Sequence, residues 1–173
     1  MSFNNLGLSP ALLKSVLEKG YTKPSEIQKE AIPEILQGKD ILAGAQTGTG
    51  KTAAFALPLL HKLQNAESKR RRIRVLVLVP TRELASQVGE SFREYGSNLR
   101  FKTSTLYGGV SINTQIDKLK KGVDIVVATP GRLLDHLNQK TLNLSELETF
   151  VLDEADRMLD MGFILSLIHI SEP

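Results

Sequence analysis

A glycine-rich stretch near residue 50 constrains this chain more than any other feature. It reads Ala45-Gln46-Thr47-Gly48-Thr49-Gly50-Lys51-Thr52. An apolar run before it, Ile41–Ala43, predicts a buried strand, and the run 53–57 after it predicts a helix. Glycines let the backbone curl so that several N–H groups point at one phosphate, and a helix N-terminus adds about half a positive charge there. The stretch is therefore typical of a phosphate-binding loop, in which Lys51 reaches the β- and γ-phosphates and the Thr52 hydroxyl binds Mg²⁺.

Strands and helices are predicted to alternate along the rest of the chain. Continuous apolar runs predict strands covered on both faces at 75–79 and 124–128, and two more strands are predicted at 103–107 and 149–152. Helices are predicted between them at 81–95, 111–121 and 131–138, and two earlier helices open at Ser9-Pro10 and Pro24-Ser25. This alternation favours an α/β fold with a doubly wound, mostly parallel sheet flanked by helices.

Two acidic residues follow the last predicted strand. Ligands of such sheets bind at the carboxyl ends of the strands, where Asp153-Glu154 stands. Asp153 can hold Mg²⁺ directly or through its water, and Glu154 can orient and deprotonate a water that attacks a γ-phosphate. The alternative is a pair of solvent-facing acids that cap the following helix.

Composition excludes several classes of protein. The 173 residues contain no cysteine, so neither disulfides nor thiolate chemistry are expected. The histidines, His61, His136 and His169, show no metal-ligand spacing. Neither a signal peptide nor an apolar run of membrane-spanning length is present, so we expect a cytoplasmic protein without a membrane partner. The net charge of +3 permits a nucleic-acid partner, although the basic run within 67–72 is expected to be a solvated loop rather than an RNA contact.

The bound base is expected to be adenine. The motifs Asn-Lys-x-Asp and Asp-x-x-Gly, which a GTPase needs, do not occur. This favours ATP, and it leaves a kinase open.

Five segments resemble, in order, the motifs of DEAD-box ATP-dependent RNA helicases. They are Ala45–Thr52, Pro80–Ala85, Gly108-Gly109, Thr129–Arg132 and Asp153–Asp156. Gly20-Tyr21, Pro24-Ser25 and Ile27-Gln28 resemble the family's Q motif, with Phe3 at its upstream aromatic position. The resemblance runs from Phe3 to about Leu165, and Gly108–Asn113 is most similar to the RhlE-type bacterial branch. Ala45 replaces the glycine of the general loop pattern, but this family has alanine there.

The resemblance implies a RecA-like P-loop NTPase that uses ATP and Mg²⁺. Gln28 would read the adenine edge and Tyr21 would lie against the base, because a side-chain amide offers both a donor and an acceptor. Gln28 also stands at the capping-box position after Ser25. The family's RNA-binding positions are occupied here by Pro80, Thr81, Arg82, Gly108, Gly109, Thr129, Pro130, Gly131 and Arg132. They would line the sugar–phosphate backbone of a single RNA strand without reading its bases. Taken singly, each of these segments also fits a strand-end turn with a helix cap.

The resemblance also implies that the chain is a fragment. Residues 1–165 are expected to be an N-terminal RecA-like domain, and 166–173 a non-native tail. The second RecA-like domain, which supplies an arginine finger, is expected to be absent. Two alternatives stay open: a nucleotide-dependent RNA-binding module without turnover, and a P-loop small-molecule kinase.

Overall fold

The computed structural model of the chain describes residues 1–46, 48–65 and 70–160. These residues fall into two compact units. The first holds Met1–Arg70 with Glu90–Phe101, and the second holds Arg71–Gly89 with the chain from Lys102 onward.

The second unit is built on a parallel sheet of four strands within the described ranges. They are β1 (Val75–Leu78), β2 (Thr103–Leu106), β3 (Ile125–Ala128) and β4 (Thr149–Leu152), in the order β2-β3-β1-β4. All three strand pairs are parallel. The connecting helices are α4 (Arg82–Tyr95), α5 (Ile112–Lys120) and α6 (Pro130–Asn138), and α7 (Ala155–Asp160) follows β4. The predicted α/β class is confirmed, since parallel strands need such helical crossovers.

An apolar core packs against the strands and fixes their register. Every residue of β1 and β3 is buried, as their continuous apolar sequences predict. On one face Leu76, Leu78 and Leu106 pack with Leu133 of α6 and Met158 of α7. Burying each such side chain contributes about 1.5–3 kcal/mol, so a slip of register would be costly. The fixed register aligns the carboxyl ends of the four strands at one edge of the sheet.

The first unit contains the helices that flank the phosphate loop in sequence. They are α1 (Pro10–Glu18), α2 (Glu26–Leu36) and α3 (Lys51–Gln64), with a short 3-10 turn at Phe3–Asn5. Ser9 and Pro10 open α1 as predicted, and Gly20 follows it with a φ of 80°. Helix α2 packs against α3, and the Phe55 ring of α3 lies 6.1 Å from the Phe92 ring.

The prediction of a buried strand at 41–43 is wrong. Residues 41–46 form no strand, and the exposed fractions of Ile41 and Leu42 are 41% and 102%. An apolar run becomes a strand only where a neighbour satisfies its backbone N–H and C=O groups. The sheet ends at β4 in the part of the chain that is described, and no strand there pairs with 41–46. The fold therefore has four of the five predicted strands.

Two expectations fall partly or wholly outside the described residues. The predicted tail, 166–173, lies beyond them, as does 66–69 of the basic connection. The described part of that connection is tied down by ion pairs. The Arg71 guanidinium lies 2.5 Å from the Asp124 carboxylate, which also accepts the Lys102 backbone N–H at 2.8 Å. Arg71 therefore braces the starts of β2 and β3.

Candidate functional site

The carboxyl ends of the four strands form one continuous edge. The Asp153 N–H donates to Leu78 O at 2.9 Å, and the Val79 N–H donates to Ala128 O at 2.9 Å. The Thr129 N–H donates to Leu106 O, also at 2.9 Å. These bonds place the segments after β2, β3, β1 and β4 side by side in that order. The predicted strand-end residues of the second unit are thus brought to one edge.

Arg82 connects the segment after β1 with the Gly-Gly segment after β2. Its guanidinium lies 5.0 Å from the centre of the Tyr107 ring, within the range of a cation–π contact. A Cβ placed on Gly109 would stand 3.0 Å from Arg82 Nη1, so the guanidinium lies against the glycine backbone. Gly109 has a φ of 81°, which side chains disfavour. The backbone angle favours glycine at 109, and a side chain there would also push on the Arg82 guanidinium.

Arg132 connects the segment after β3 with the same Gly-Gly segment. Its Nη1 and Nη2 donate to Val110 O at 3.1 and 3.2 Å, and Nη1 also donates to Gln115 Oε1 at 3.2 Å. The Arg132 side chain is 12% exposed. Two of its five N–H donors therefore bond the loop carbonyl, and a third bonds Gln115.

The turns at this edge are also helix starts. The Thr81 hydroxyl accepts the Leu84 N–H at 3.2 Å and caps α4, and Pro130 is the first residue of α6 after Thr129. The expectation of helix caps at these turns is thus met at Thr81. Each helix start presents backbone N–H groups and a partial positive charge at the edge.

The acidic pair after β4 combines a buried residue with a strained one. Asp153 is 4% exposed. Glu154 has a φ of 56°, a left-handed conformation that costs a non-glycine residue about 1–2 kcal/mol. Its carboxylate accepts a hydrogen bond from Arg157 Nη1 at 2.9 Å. Such local strain is typical of functional sites.

The glycine-rich stretch that is predicted to bind phosphate lies in the first unit, and its glycines adopt the left-handed backbone that such a turn uses. Gly48 and Gly50 have φ values of 85° and 80°, and the Thr49 hydroxyl donates to Gln46 O at 2.6 Å. Lys51 and Thr52 form the first turn of α3 and are half-buried. Ala45 is half-buried as well, whereas Thr47 lies outside the described residues.

Gln28 joins the start of α2 to the phosphate loop. It is 8% exposed, its Oε1 accepts the Ser25 backbone N–H at 3.0 Å, and its Nε2 donates to Gly50 O at 3.1 Å. A Cβ on Gly50 would stand 2.3 Å from that Nε2, so any other residue at 50 would displace the Gln28 amide, and the φ of 80° also favours glycine. The capping role anticipated for Gln28 is confirmed. Tyr21 is 49% exposed and presents its ring to solvent.

Comparison with known proteins decides the family. A model of the DEAD/DEAH box helicase family matches residues 25–172. The chain belongs to the DEAD/DEAH box helicase family.

Curated relatives of the chain are named as RNA helicases. The DEAD-box ATP-dependent RNA helicase RhpA of Helicobacter pylori strain B128 is 51% identical over 163 residues, which cover 94% of this chain and 32% of the relative. The DEAD-box ATP-dependent RNA helicase CshA of Bacillus anthracis is 54% identical over 94% of this chain and 30% of its own length. The ATP-dependent RNA helicase DeaD of Buchnera aphidicola is 54% identical over 94% of this chain and 27% of its own length. The chain thus spans about a third of the length of these relatives.

The predicted ligands of this DEAD/DEAH box chain have side chains of the right chemical type, taken unit by unit. In the first unit Thr52 offers a hydroxyl and Lys51 a cation for phosphate, and in the second Asp153 offers a carboxylate; hydroxyl and carboxylate oxygens are hard ligands of the kind that Mg²⁺ prefers. Within the described ranges no group of three or more His, Cys, Asp or Glu side chains gathers as a metal cage. No helix of the described chain is long and apolar enough to cross a membrane.

Three side chains at the strand edge were missed by sequence reasoning. Tyr107 supports Arg82, and Gln115 and His136 are buried polar residues joined to each other at 3.1 Å. Burial, with the Arg132 charge nearby, lowers the pKa of His136 below its ordinary value. The aromatic residue just before Gly108-Gly109 was a usable signal for Tyr107. The spacing of α5 was a usable signal for Gln115, because Ile112, Ile116 and Leu119 form an apolar stripe in which residue 115 occupies the i+3 position.

Proposed function

We propose that this chain is the ATP-binding part of an ATP-dependent RNA helicase. It binds ATP with Mg²⁺ and holds the sugar–phosphate backbone of single-stranded RNA. One observation carries the proposal: Arg82 and Arg132 both contact the Gly-Gly segment at the carboxyl edge of the sheet. The names of the curated relatives support the same function.

In this proposal the loop residues and the acidic pair share the work on the nucleotide. Backbone N–H groups of the loop from Ala45 to Thr52 and the Lys51 ammonium hold the phosphates. Thr52 and Asp153 hold Mg²⁺, which supplies charge neutralisation at the transferred phosphoryl group. Glu154 orients the attacking water and takes its proton.

Adenine is read by the Q-motif residues. Gln28 exchanges one of its two hydrogen bonds, to Ser25 or to Gly50, for the base edge, and Tyr21 lies against the ring. This exchange couples the presence of the base to the phosphate loop, because Gly50 precedes Lys51 directly.

RNA is bound by the strand-end segments. The backbone groups of Pro80, Thr81, Gly108, Gly109, Thr129, Pro130 and Gly131 and the guanidinium groups of Arg82 and Arg132 face phosphates and sugars. Contacts to the backbone carry no base information, so affinity is independent of sequence and falls as salt rises. Because its proposed partner is RNA, we infer that the chain works in the cytoplasm.

Turnover and unwinding require the second RecA-like domain of a full-length helicase, which contributes the arginine finger. An arginine finger adds on the order of a thousandfold or more to hydrolysis. On its own the chain therefore acts as a nucleotide-dependent RNA-binding module with little turnover.

The test is RNA-stimulated ATP hydrolysis by a full-length helicase that carries this chain. Lys51→Ala is expected to weaken nucleotide binding. Glu154→Gln is expected to leave binding intact and to slow hydrolysis about a hundredfold or more, the size of a lost acid–base group. Glu146→Gln, the same change at an exposed position outside the motifs, serves as a matched control for nucleotide binding and hydrolysis. Wild-type turnover in Glu154→Gln would remove Glu154 from the mechanism, and phosphoryl transfer to a small acceptor would favour a kinase.

A further inference from the structure

Gln115 is the buried amide of α5, a helix whose other polar residues are exposed. It lies on α5 and is 6% exposed, while its neighbours Asn113, Thr114 and Asp117 are exposed. Burying an amide is costly unless its donors and acceptors are bonded. Gln115 makes three bonds: Nε2 donates to Tyr107 O at 3.0 Å, and Oε1 contacts Arg132 Nη1 at 3.2 Å and His136 Nε2 at 3.1 Å.

The chemistry of these partners fixes the orientation of the amide. The carbonyl of Tyr107 only accepts, so the amide NH₂ must face it, and the guanidinium of Arg132 only donates, so Oε1 must face Arg132. His136 Nε2 must then carry a proton and donate to the same oxygen. The other ring nitrogen, Nδ1, lies 2.8 Å from the Thr141 hydroxyl. Every polar atom of the Gln115 side chain is thus engaged in this network.

The network holds the Gly-Gly segment from both ends. Gln115 bonds the carbonyl of Tyr107, just before Gly108-Gly109, and Arg132 bonds the carbonyl of Val110, just after it. Gln115 also orients Arg132. Two side chains in mutual contact therefore set the path of this backbone.

We propose that Gln115 is a positioning residue for RNA binding, which keeps the Gly-Gly backbone and Arg132 in their binding arrangement without touching RNA. The inference rests on the proposed function of this edge. Fixing a loop in its bound conformation raises affinity because less ordering is left to be done on binding.

The experiment measures the affinity of a full-length helicase carrying this chain for an unstructured single-stranded RNA. Gln115→Met keeps the side-chain volume and removes the amide. We expect RNA affinity to fall about tenfold, the loss typical of a hydrogen bond to a charged group. ADP affinity should stay within about twofold of wild type. Gln139→Met, the same change at an exposed position of the same unit, should leave both affinities unchanged.

A double-mutant cycle separates positioning from a general loss of structure. If Gln115 acts partly through Arg132, Gln115→Met combined with Arg132→Ala should cost less RNA affinity than the sum of the two single losses, because Arg132→Ala already removes one of the groups that Gln115 holds. The dependence of affinity on salt should keep its slope in Gln115→Met, whereas loss of a phosphate contact lowers that slope by about one. Unchanged RNA affinity in Gln115→Met, or losses that add in the double variant, would overturn the proposal.

A second variant covers the case in which Gln115→Met does not fold. Gln115→Glu keeps an acceptor for Arg132 and His136 but turns an oxygen toward Tyr107 O. RNA affinity should fall in this variant while ADP affinity is retained, and an RNA affinity equal to wild type would contradict the proposal. If the wild-type protein itself fails to bind RNA, the proposed function fails, which is a different result from a failure of Gln115 alone.

Discussion

Glu154 joins a proposed catalytic carboxylate to a backbone conformation that few non-glycine residues adopt. Its φ of 56° follows directly after β4, and its side chain bonds Arg157 within the first turn of α7. Selection for stability alone would favour glycine at such a position. In the proposed mechanism Glu154 takes a proton from the attacking water, which glycine could not do, so the strain at this residue would be a cost of that function.

Replacing Glu154 by glycine and by alanine, in a full-length helicase that carries this chain, separates the free-energy cost of the left-handed backbone from the loss of the carboxylate. Both variants lose the Arg157 contact and the proposed base, but only glycine relieves the left-handed strain. We expect Glu154→Gly to be about 1 kcal/mol more stable to urea than Glu154→Ala, and both to lack hydrolysis. Equal stability of the two variants would show that this residue is not strained in solution.

The preference for adenine over guanine tests the role proposed for the Gln28 side chain. Gln28→Ala should erode the preference for ADP over GDP while leaving the contacts to phosphate, because only the base edge is read by the amide. The measurement is the ratio of the ADP affinity to the GDP affinity. The substitution also removes the hydrogen bonds of Gln28 to Ser25 and Gly50, but that loss lowers the two affinities equally and leaves their ratio unchanged. Gln37→Ala, at the exposed end of α2, is the control. An ADP to GDP ratio near one in the wild-type protein would contradict the adenine assignment.

The elements show which parts of the fold a sequence can predict. Four strands and the helices between them were predicted because apolar runs, caps and glycines act locally. The strand at 41–43 was wrong because its formation depends on a partner strand, which local sequence does not encode. The contacts of Arg82 with Tyr107 and of Arg132 with Val110 join residues more than twenty positions apart, so only the sheet topology brings them together.

The strand-end segments predict how RNA affinity responds to salt. Arg82→Ala should weaken binding alike for all RNA sequences and reduce the slope of affinity against salt by about one, because one phosphate contact is lost. Binding to several unstructured RNAs at two or more salt concentrations measures both effects. Arg93→Ala, an exposed arginine near the end of the same helix, serves as the control. A clear preference for one base sequence at constant salt would contradict backbone recognition.

For the molecule as a whole, we expect the edge of the described sheet at β4 to limit the free energy of unfolding. Strand β4 has one described neighbour, and its Phe150 and Leu152 are exposed. Residues 41–46, in the other unit, are unpaired in the described sheet. The family resemblance implies that a further strand, leading to motif III, lies beside β4. Unpaired edges favour aggregation, and exposed apolar side chains add to that tendency.

We therefore expect the 173-residue chain to be molten or to aggregate when expressed as written. A chain extended through the motif III strand should fold well, because the added strand pairs the edge and covers its apolar side chains. Thermal unfolding followed by circular dichroism, with light scattering, compares the two. A sharp cooperative melt of the 173-residue chain above about 50 °C, in the usual mesophile range, would contradict this expectation.

The bond from Gln28 to Gly50 has a spectroscopic consequence. A side-chain NH₂ group gives two separate proton resonances, and the proton that is bonded to Gly50 O should be displaced downfield from its twin. Selective ¹⁵N labelling of glutamine in the chain extended through the motif III strand would make this pair visible in a single two-dimensional spectrum. Adding ADP should then shift the Gln28 resonances, while those of the exposed Gln37 stay unchanged. The Gln28 resonances would therefore report whether the base and Gly50 interact with the same side chain.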